Sequence, residues 1–378
     1  MRSCINLIYK LIIVKRRLSV KKMFERYFSH IINVSKTDNK ARASAIDSWV
    51  KKWCVFGDTP TTKSFEAYTR FMNEDINTVP NDIARNYIEP ILTPEEFQPF
   101  YNDKNSLGLI ISPEWLPRTL FRSVNGLLYD GEYNAINKEE FNKLFYGVER
   151  IIVKPSRDMG GHGVSLFIKR DDGCFYDNEN NKISLNFLLE RYDRNFLIQE
   201  CLNQSAYMKQ FNPTSVNTLR IATYRDVNNG EIHILGAVLR IGGKGAFIDN
   251  ACSGGSFVSV DDNGCLGKYA CTQYGQTSVM YNGINFATST FIIPEYDKIK
   301  EFAKSVAKKL PHMSLFANDI AIDENGNPKL IEINTTDFSY WFYQFNGRAV
   351  FGKHTDNIIE YAKREQSRLK ATIIQKYM

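Results

Sequence analysis

The fold is decided by residues 319–334, which read DIAIDENGNPKLIEIN. Apolar residues alternate at both ends of this stretch, which predicts two half-buried strands at 319–323 and 328–334. Glu-Asn-Gly-Asn at 324–327 supplies the turn of a β-hairpin. Glu332 and Asn334 are two apart and face the same side, and antiparallel pairing can bring Asp319 opposite them. Oxygen ligands grouped in this way suit Mg²⁺, although a solvated strand face can carry the same residues.

Short β-rich segments separated by turns lead from residue 150 to this hairpin. The other predicted strands are 150–155, 164–169, 195–200, 218–225, 231–242 and 256–261, and the predicted helices are 184–192 and 295–310. Strands and helices do not alternate regularly, which favours antiparallel sheets over a doubly wound parallel sheet. Residues 40–100 are predicted to be mainly helical, with one helix starting at Thr93-Pro94-Glu95-Glu96. The predicted fold class is therefore α+β.

Two features upstream of the hairpin suit anion binding. Residues 154–163 read KPSRDMGGHG, and such glycines let backbone N–H groups approach phosphate oxygens beside a lysine. The spacing matches neither Walker A nor the dinucleotide-binding motif, so a simple tight hairpin stays open, as does a simple loop position for His162. Arg220 and Arg240 lie among apolar strand residues and need an anionic partner. That partner is either a structural carboxylate or a bound phosphate or carboxylate.

Composition and charge exclude several classes of protein. The 378 residues are 43% hydrophobic and 24% charged, which is typical of a globular chain. Residues 1–42 hold eleven basic and two acidic side chains, so the rest of the chain is slightly acidic and lacks the basic footprint of a nucleic-acid-binding protein. The seven cysteines form no C-x-x-C pair and the five histidines show no metal-ligand spacing. This pattern favours reduced thiols in the cytoplasm over a disulfide framework or a zinc site.

Residues 1–34 are predicted to form a basic amphipathic helix. Residues 5–14 are mainly apolar and are interrupted by Lys10, and Lys15-Arg16-Arg17 follow them. A signal peptide carries its charge before the apolar run, and no stretch of 18 residues is apolar enough to cross a membrane. Two interpretations stay open. The helix either contacts the anionic inner face of a membrane, or packs its apolar side on the body of the protein.

The order of these motifs resembles the ATP-grasp superfamily. The resemblance rests on Lys104, the glycine segment 154–163, LIQE at 197–200, NTLR at 217–220, Asp319 and EIN at 332–334. NPTSVNTLRIATYR at 212–225 and RIGGKGAFIDNACSGG at 240–255 are similar to the sugar-transfer-associated branch. The likeness covers about residues 95–352 and implies a two-lobed fold that clasps ATP between antiparallel sheets. The expected regions are a basic helix (1–34), a helical region (35–95), a first lobe with a glycine flap (96–200), a second lobe with a Mg²⁺ site (201–352) and a C-terminal helix (353–378).

The resemblance also implies site residues for ATP and Mg²⁺. Lys104 and Lys154 would contact the phosphates; Gly160, Gly161 and Gly163 would form the flap; Gln199, Glu200 and Leu202 would form the adenine-binding hinge. Asp319, Glu332 and Asn334 would hold Mg²⁺. Arg220, Arg240 and Asn217 would be catalytic, with Asn250, Gly254 and Gly255 on the substrate side.

The usual chemistry implied by the resemblance is carboxylate–amine ligation through an acyl phosphate. The leading hypothesis is a cytoplasmic ligase that joins an amine to an acidic sugar of a surface polysaccharide or its precursor. One alternative is a kinase acting on a hydroxyl, with Asp249 or Asp337 as the base; another is a non-catalytic nucleotide-binding protein. Residues 335–339, TTDFS, stand where amino-acid ligases often have a Pro-Gly turn, so the resemblance carries no amino-acid specificity.

Overall fold

A computed structural model of the chain describes residues 2–35, 37, 39–158, 160–246, 249, 254–336, 338–367 and 369, with the side chains of 2–10 and 142 outside that description. The α-helices are α1 (Arg2–Val34), α2 (Ala43–Trp53), α3 (Thr62–Tyr68), α4 (Asn81–Ile83), α5 (Glu89–Leu92), α6 (Gln98–Tyr101), α7 (Lys104–Ile110), α8 (Leu185–Tyr192), α9 (Ala206–Lys209), α10 (Tyr296–Lys308), α11 (Trp341–Gln344) and α12 (Thr355–Glu365). The strands are β1 (Thr119–Val124), β2 (Leu127–Asp130), β3 (Arg150–Pro155), β4 (Ser165–Lys169), β5 (Phe175–Tyr176), β6 (Phe196–Glu200), β7 (Thr218–Arg225), β8 (Ile232–Ile241), β9 (Ser256–Val260), β10 (Ala270–Cys271), β11 (Thr277–Ser278), β12 (Met280–Tyr281), β13 (Ile284–Asn285), β14 (Leu315–Ile322) and β15 (Pro328–Asn334).

Two antiparallel sheets form the framework. The first has the strand order β2-β1-β6-β3-β4-β5, and the second has the order β11-β10-β9-β8-β7-β14-β15. Strands β12 and β13 form a separate hairpin. The predicted α+β class with antiparallel sheets is confirmed.

The hairpin that decides the fold is β14–β15, whose first strand starts earlier than predicted, at Leu315. Its turn is closed by Asp323, whose Oδ1 accepts hydrogen bonds from the backbone N–H groups of Asn325 and Asn327 at 3.0 and 2.8 Å. The pairing register places Asp319 opposite Glu332 on one side and opposite Arg220 of β7 on the other. Three charged residues therefore lie in one row across the sheet.

The second sheet is covered on both faces because its central strands are apolar throughout. Leu219 and Ile221 of β7 belong to a core that also contains the buried side of α10. Ala222 and Tyr224 point the other way, into an aromatic core built from the chain's N- and C-terminal helices. Arg220 shares this second face, since it alternates with Leu219 and Ile221.

The N-terminal and C-terminal parts of the chain share this aromatic core. The Tyr68 ring lies 5.1 Å from Phe28 of α1 and 5.2 Å from Phe345, measured between ring centroids. The fully buried Gln344 amide makes a two-way bridge to Val79, accepting from its N–H at 2.7 Å and donating to its carbonyl at 3.2 Å. Residues far apart in sequence therefore complete one another's packing and hydrogen bonding.

Helix α1 packs on the body through its second half, where Phe28 and Ile31 are fully buried. The packing interpretation is confirmed for this half. Leu11, Val14 and Leu18 are more than half exposed, so the packing interpretation does not extend to this part of the helix. Among the described residues, no helix combines the length and apolarity that a membrane span requires.

The predicted helix start at Thr93 is wrong. The Thr93 hydroxyl donates to the carbonyl of Leu315 on β14 instead of capping a helix, and its N–H closes α5 by donating to Glu89. The next helix begins only at Gln98. At the other end, the predicted C-terminal helix is observed at Thr355–Glu365, and residues 370–378 lie outside the described part.

Candidate active site

The row across the second sheet is centred on Asp319, which is 2% exposed. Arg220 holds it with two bonds, Nε to Oδ1 at 2.7 Å and Nη2 to Oδ2 at 2.8 Å. Arg240 of β8 adds a third bond, from Nη1 to Oδ2 at 2.6 Å. Burial alone would raise the pKa of Asp319, but the charges of Arg220 and Arg240 outweigh it and lower that pKa to about 2. The two arginines therefore have a structural carboxylate as a partner.

Arg240 also reaches a second carboxylate. Its Nη2 lies 3.2 Å from Oδ1 of Asp249, whose other oxygen accepts a hydrogen bond from the Thr218 hydroxyl. Burial raises the pKa of Asp249, with the negative charge of Asp319 adding to the effect and Arg240 opposing it. Arg240 Nε is buried and has no hydrogen-bond partner among the described residues. One guanidinium thus connects the buried Asp319 with Asp249, whose side chain is 13% exposed.

Lys104 and Lys154 stand beside this row, and both interact with Glu332. Lys104 Nζ lies 3.2 Å from Oε1 of Glu332 and donates to the carbonyl of Asp158 at 2.7 Å. Burial, followed by the positive charge of Lys104, lowers the pKa of Lys154 to about 8, and Glu332 offsets part of that shift. Two ammonium groups around one carboxylate leave an excess of positive charge, which suits a phosphate group.

The lowered pKa of Lys154 predicts that nucleotide affinity falls at high pH. The ammonium form is present below about pH 8 and is lost as pH rises through that value, while a bound phosphate favours the charged form. We expect ADP affinity measured by calorimetry without metal to weaken about tenfold between about pH 7 and about pH 9.5.

Two lysine variants separate this effect from general alkaline changes. Lys154→Gln should bind ADP weakly with little pH dependence. Lys169→Gln, which removes a partly exposed ammonium on β4 that is paired with Glu149, should keep the wild-type profile. An unchanged affinity of wild type at high pH would contradict a phosphate contact by Lys154.

A cavity of about 680 Å³ contains these side chains. Its volume lies in the usual range for small-molecule sites. The predicted residues that line it are Lys104, Lys154, Gly160, Gly161, Gln199, Glu200, Leu202, Arg220, Arg240, Asp319, Glu332 and Asn334. Residues from both sheets are among them, as expected for a ligand clasped between two lobes.

An apolar slot adjoins the predicted hinge. Ile152 pairs with Gln199 on one side and with Leu166 on the other, and both apolar side chains line the cavity and are partly exposed. The side chain of Gln199 is occupied, because its Nε2 donates to Thr119 Oγ1 at 3.1 Å. Recognition of a flat base at this position would therefore use the hinge backbone and the apolar faces beside it.

The glycine segment is the loop between β3 and β4, as predicted. Gly160, Gly161 and Gly163 have positive φ angles of 68°, 75° and 69°, which disfavour other residues. A side chain at Gly163 would also meet Pro155, with its Cβ 2.7 Å from the proline Cγ. An ion pair between Arg157 and Asp103 at 2.8 Å fixes the base of the loop to α7. The loop is thus a tight turn whose tip lines the cavity, His162 included.

Several predicted residues do not line the cavity. Asn217 is fully buried, and its Nδ2 donates to the carbonyls of Met208 and Asn212 at 2.8 and 2.9 Å, so it fixes the segment before β7. Gly163, Gly254 and Gly255 also lie outside the lining residues. Asn250, predicted on the substrate side, and Asp337, a candidate base, are outside the described residues.

Two aromatic residues of the cavity were missed by the sequence analysis. Trp341 and Phe342 of α11 line it, and the guanidinium carbon of Arg220 lies 5.0 Å from the centre of the Phe342 ring. A cation over an aromatic face is stabilised and held in place. In the sequence these residues look like ordinary helix core, and only their position shortly after the E-I-N motif points to the site.

The residues of the cavity fit a divalent cation with oxygen ligands. Glu332 and Asn334 are partly exposed neighbours on one strand face, and Mg²⁺ takes few protein oxygens and keeps the rest for water and phosphate. Both oxygens of Asp319 accept from arginine, but a carboxylate has about four acceptor positions, so it can still contribute. The Asn334 side chain also interacts with Asp319 and helps to lower the pKa of that carboxyl, so the three predicted ligands are neighbours.

Comparison with known families identifies this arrangement. The model of the family described as sugar-transfer-associated ATP-grasp matches residues 91–359. The chain belongs to this ATP-grasp family. The matched segment contains both antiparallel sheets and every cavity residue named above, and the two-lobed ATP-grasp fold expected from the sequence is confirmed.

Solved structures of several synthetases and ligases are similar to this ATP-grasp chain at low identity. N5-carboxyaminoimidazole ribonucleotide synthetase from Thermotoga maritima has 14% identity and a TM-score of 0.37, with 71% of this chain and 51% of that chain covered. VanG D-Ala:D-Ser ligase from Enterococcus faecalis has 11% identity and a TM-score of 0.36, with 70% and 61% covered. D-alanyl-alanine synthetase A from Vibrio cholerae O1 biovar eltor has 16% identity and a TM-score of 0.38, with 72% and 67% covered. The chain thus spans about half of the first and less than two thirds of the second. No curated protein shows significant sequence similarity to it.

Proposed function

We propose that this ATP-grasp protein is an ATP- and Mg²⁺-dependent carboxylate–amine ligase that forms an amide through an acyl phosphate. The observation that carries the proposal is the sequence of charges along one cavity. Lys104 and Lys154 stand at Glu332, and the Arg220–Asp319–Arg240 cluster continues the row. An excess of positive charge for phosphates thus adjoins guanidinium groups suited to a carboxylate.

In the first step, a carboxylate oxygen of the acceptor attacks the γ-phosphorus of ATP, and the bond to ADP breaks. Lys104 and Lys154 hold the phosphate oxygens, and the glycine loop closes over them with its backbone N–H groups. Mg²⁺ held by Asp319, Glu332 and Asn334 would neutralise the charge on the transferred phosphoryl group. The gain in rate comes from alignment and charge neutralisation in a cavity that excludes much of the water.

In the second step, an amine attacks the carbonyl carbon of the acyl phosphate. The new C–N bond forms, the C–O bond to the phosphate breaks, and inorganic phosphate leaves with the proton that the amine loses. Arg240 lines the cavity, and its guanidinium is a cation that can stabilise the oxyanion of the tetrahedral intermediate. Asp319 and Asp249 hold this guanidinium in place, so it acts without reorganisation.

For the substrate, we propose an acidic sugar of a surface polysaccharide or its precursor, joined to an amine. The support is the sugar-transfer association of the family and the presence of two guanidinium groups, Arg220 and Arg240, in the lining of the cavity. A kinase that phosphorylates a hydroxyl is the second candidate. It is favoured by Asp249, a cavity residue whose raised pKa suits a general base.

Trapping with hydroxylamine distinguishes the two candidates. An acyl phosphate reacts with hydroxylamine to give a hydroxamate, whereas a phosphate ester does not. With a panel of uronic acids and MgATP, we expect ADP and inorganic phosphate together with hydroxamate. A stable phosphosugar in place of hydroxamate would establish the kinase and refute the ligase.

We also propose that the first half of α1 contacts an anionic membrane surface. Leu11, Val14 and Leu18 lie on one exposed face of the helix. Arg16 and Arg17 are engaged with the body of the protein, so the exposed cations near this face are Lys15, Lys22 and Arg26. Apolar residues flanked by exposed bases are typical of interfacial helices.

The triple variant Leu11→Ser, Val14→Ser, Leu18→Ser should reduce binding to vesicles containing phosphatidylserine by at least about tenfold, because it removes the inserted apolar side chains. Co-sedimentation measures the binding, which should also weaken with salt. Leu109→Ser, at an equally exposed leucine outside α1, should bind like wild type. Equal vesicle binding by the triple variant and the wild type would contradict the membrane contact. Packing on the body of the protein would then be the function of α1.

A further inference from the structure

Two histidines and an aspartate converge where the β7–β8 hairpin turns, at the end of β7 away from Arg220. The ligand atoms of Asp226, His233 and His354 all lie within 4.8 Å of one another. His354 Nδ1 is 3.7 Å from Asp226 Oδ2, and the two imidazole centroids are 4.5 Å apart. Among the described residues, neither ring forms a hydrogen bond with another side chain or the backbone. The three side chains therefore face one another, but no hydrogen bond among the described residues joins them.

The backbone fixes each of these donors separately. Asp226 closes the hairpin turn, with its Oδ1 accepting from the N–H of Asn228 at 2.8 Å, which leaves Oδ2 directed at His354. His233 lies on β8 directly opposite Tyr224 of β7. His354 ends the 3₁₀ turn Gly352–His354 that leads into α12, and the Tyr224 ring packs against both histidines. A pre-positioned set of donors from three chain segments costs little ordering on ligand binding.

We propose that Asp226, His233 and His354 form a binding site for a divalent transition-metal ion, with Zn²⁺ as the best match. Two imidazoles and one carboxylate are typical zinc ligands. At Zn–ligand distances of about 2.0–2.1 Å, tetrahedral ligand atoms stand about 3.3 Å apart, so the donors need to close by about 1.5 Å at most. Water or the nearby Glu231, whose Oε2 lies 3.8 Å from His233 Nε2, would complete the coordination.

Charge around the cluster also favours a cation. Asp226 and Glu231 provide two carboxylates, against one lysine, Lys353, next to His354. Burial, followed by the nearby His233 and Lys353, lowers the pKa of His354. The side chains of Asp226 and His354 are only 10% and 12% exposed, which limits competition from water.

The site would join the β7–β8 hairpin to the start of α12. It lies apart from the residues that line the active-site cavity, so bound metal should stabilise the fold without taking part in turnover. This separates the proposal from the Mg²⁺ site of the ligase reaction, which uses oxygen ligands only.

Calorimetric titration of the chelator-treated, folded protein with Zn²⁺ tests the proposal. We expect one equivalent to bind with micromolar or tighter affinity and to raise the Tm by about 5 °C at saturation. Co²⁺ should bind at the same site and give visible d–d absorption without a thiolate charge-transfer band, since no cysteine belongs to the cluster.

Glutamine variants at the two histidines provide the decisive comparison. His233→Gln and His354→Gln should each weaken Zn²⁺ binding by at least about tenfold. His30→Gln, which removes an exposed histidine on α1, should bind like wild type. The Tm values in chelator show whether each variant folds, and Asp226→Asn gives a third test if one does not. Unchanged Zn²⁺ affinity in the histidine variants, a thiolate band with Co²⁺, or no binding by wild type would each refute the site.

Discussion

Replacement of Glu332 by glutamine should leave a folded protein that has lost nearly all Mg²⁺-dependent turnover. The change keeps the shape of the side chain and removes a carboxylate that interacts with both Lys104 and Lys154. We expect kcat for ADP release to fall at least about 100-fold, since metal stabilisation of a transferring phosphoryl group contributes several kcal/mol. Steady-state ADP release at saturating MgATP, with circular dichroism as the check on folding, measures this.

For nucleotide binding without metal, we expect Glu332→Gln to show no loss. Lys104 loses its partner 3.2 Å away, so its ammonium becomes more available to phosphate. ADP affinity in the presence of a chelator should therefore stay the same or increase. Glu324→Gln, the identical change at the exposed turn of the same hairpin, is the matched control and should behave as wild type. Normal turnover by Glu332→Gln would remove Glu332 from the metal site.

Replacement of Arg240 by lysine should produce the second large loss. A lysine keeps the positive charge, but a single ammonium cannot bond Asp319 and Asp249 and also present a fixed N–H to a substrate oxygen. We expect kcat for hydroxamate formation to fall about 100-fold, the size seen when one oxyanion donor is removed, with little change in ADP affinity. The trapping assay with a uronic acid and hydroxylamine measures the loss.

Arg348→Lys supplies the control for this exchange, because Arg348 pairs with Asp262 on the surface, where its side chain is 45% exposed. If Arg240→Lys raised the KM for ATP and left kcat unchanged, Arg240 would contribute to nucleotide binding instead of to the reaction. A change of less than about threefold in both parameters would contradict a direct function in the reaction.

The β14–β15 hairpin could be predicted because its information is local. Alternating apolar residues define its strands, and Glu324-Asn325-Gly326-Asn327 can form little other than a turn. The prediction that a helix starts at Thr93 was wrong because of a contact with a distant part of the chain. Thr93 has the sequence signature of a cap, but its hydroxyl is taken by the carbonyl of Leu315, more than two hundred residues away.

The partner of the two buried arginines could not be chosen from the sequence. Arg220 and Asp319 are 99 residues apart, and the same carboxylate could be a metal ligand, a partner of arginine or both. The choice depends on strand register, which places Asp319 between Glu332 and Arg220. The histidine cluster escaped notice for the same reason, since His233 and His354 have no local spacing that suggests a shared ligand.

The Gln344–Val79 bridge and the aromatic core around it have a consequence for synthesis on the ribosome. Phe28, Tyr68 and Val79 emerge early, but their partners near Phe345 emerge some 270 residues later. At a translation rate of about 5–20 residues per second, the N-terminal aromatic residues wait roughly 14–54 s for those partners. Over that interval the nascent chain exposes apolar surface whose packing partners have not yet been synthesised. Its folding yield should therefore depend on elongation speed and on chaperones that bind exposed aromatic segments.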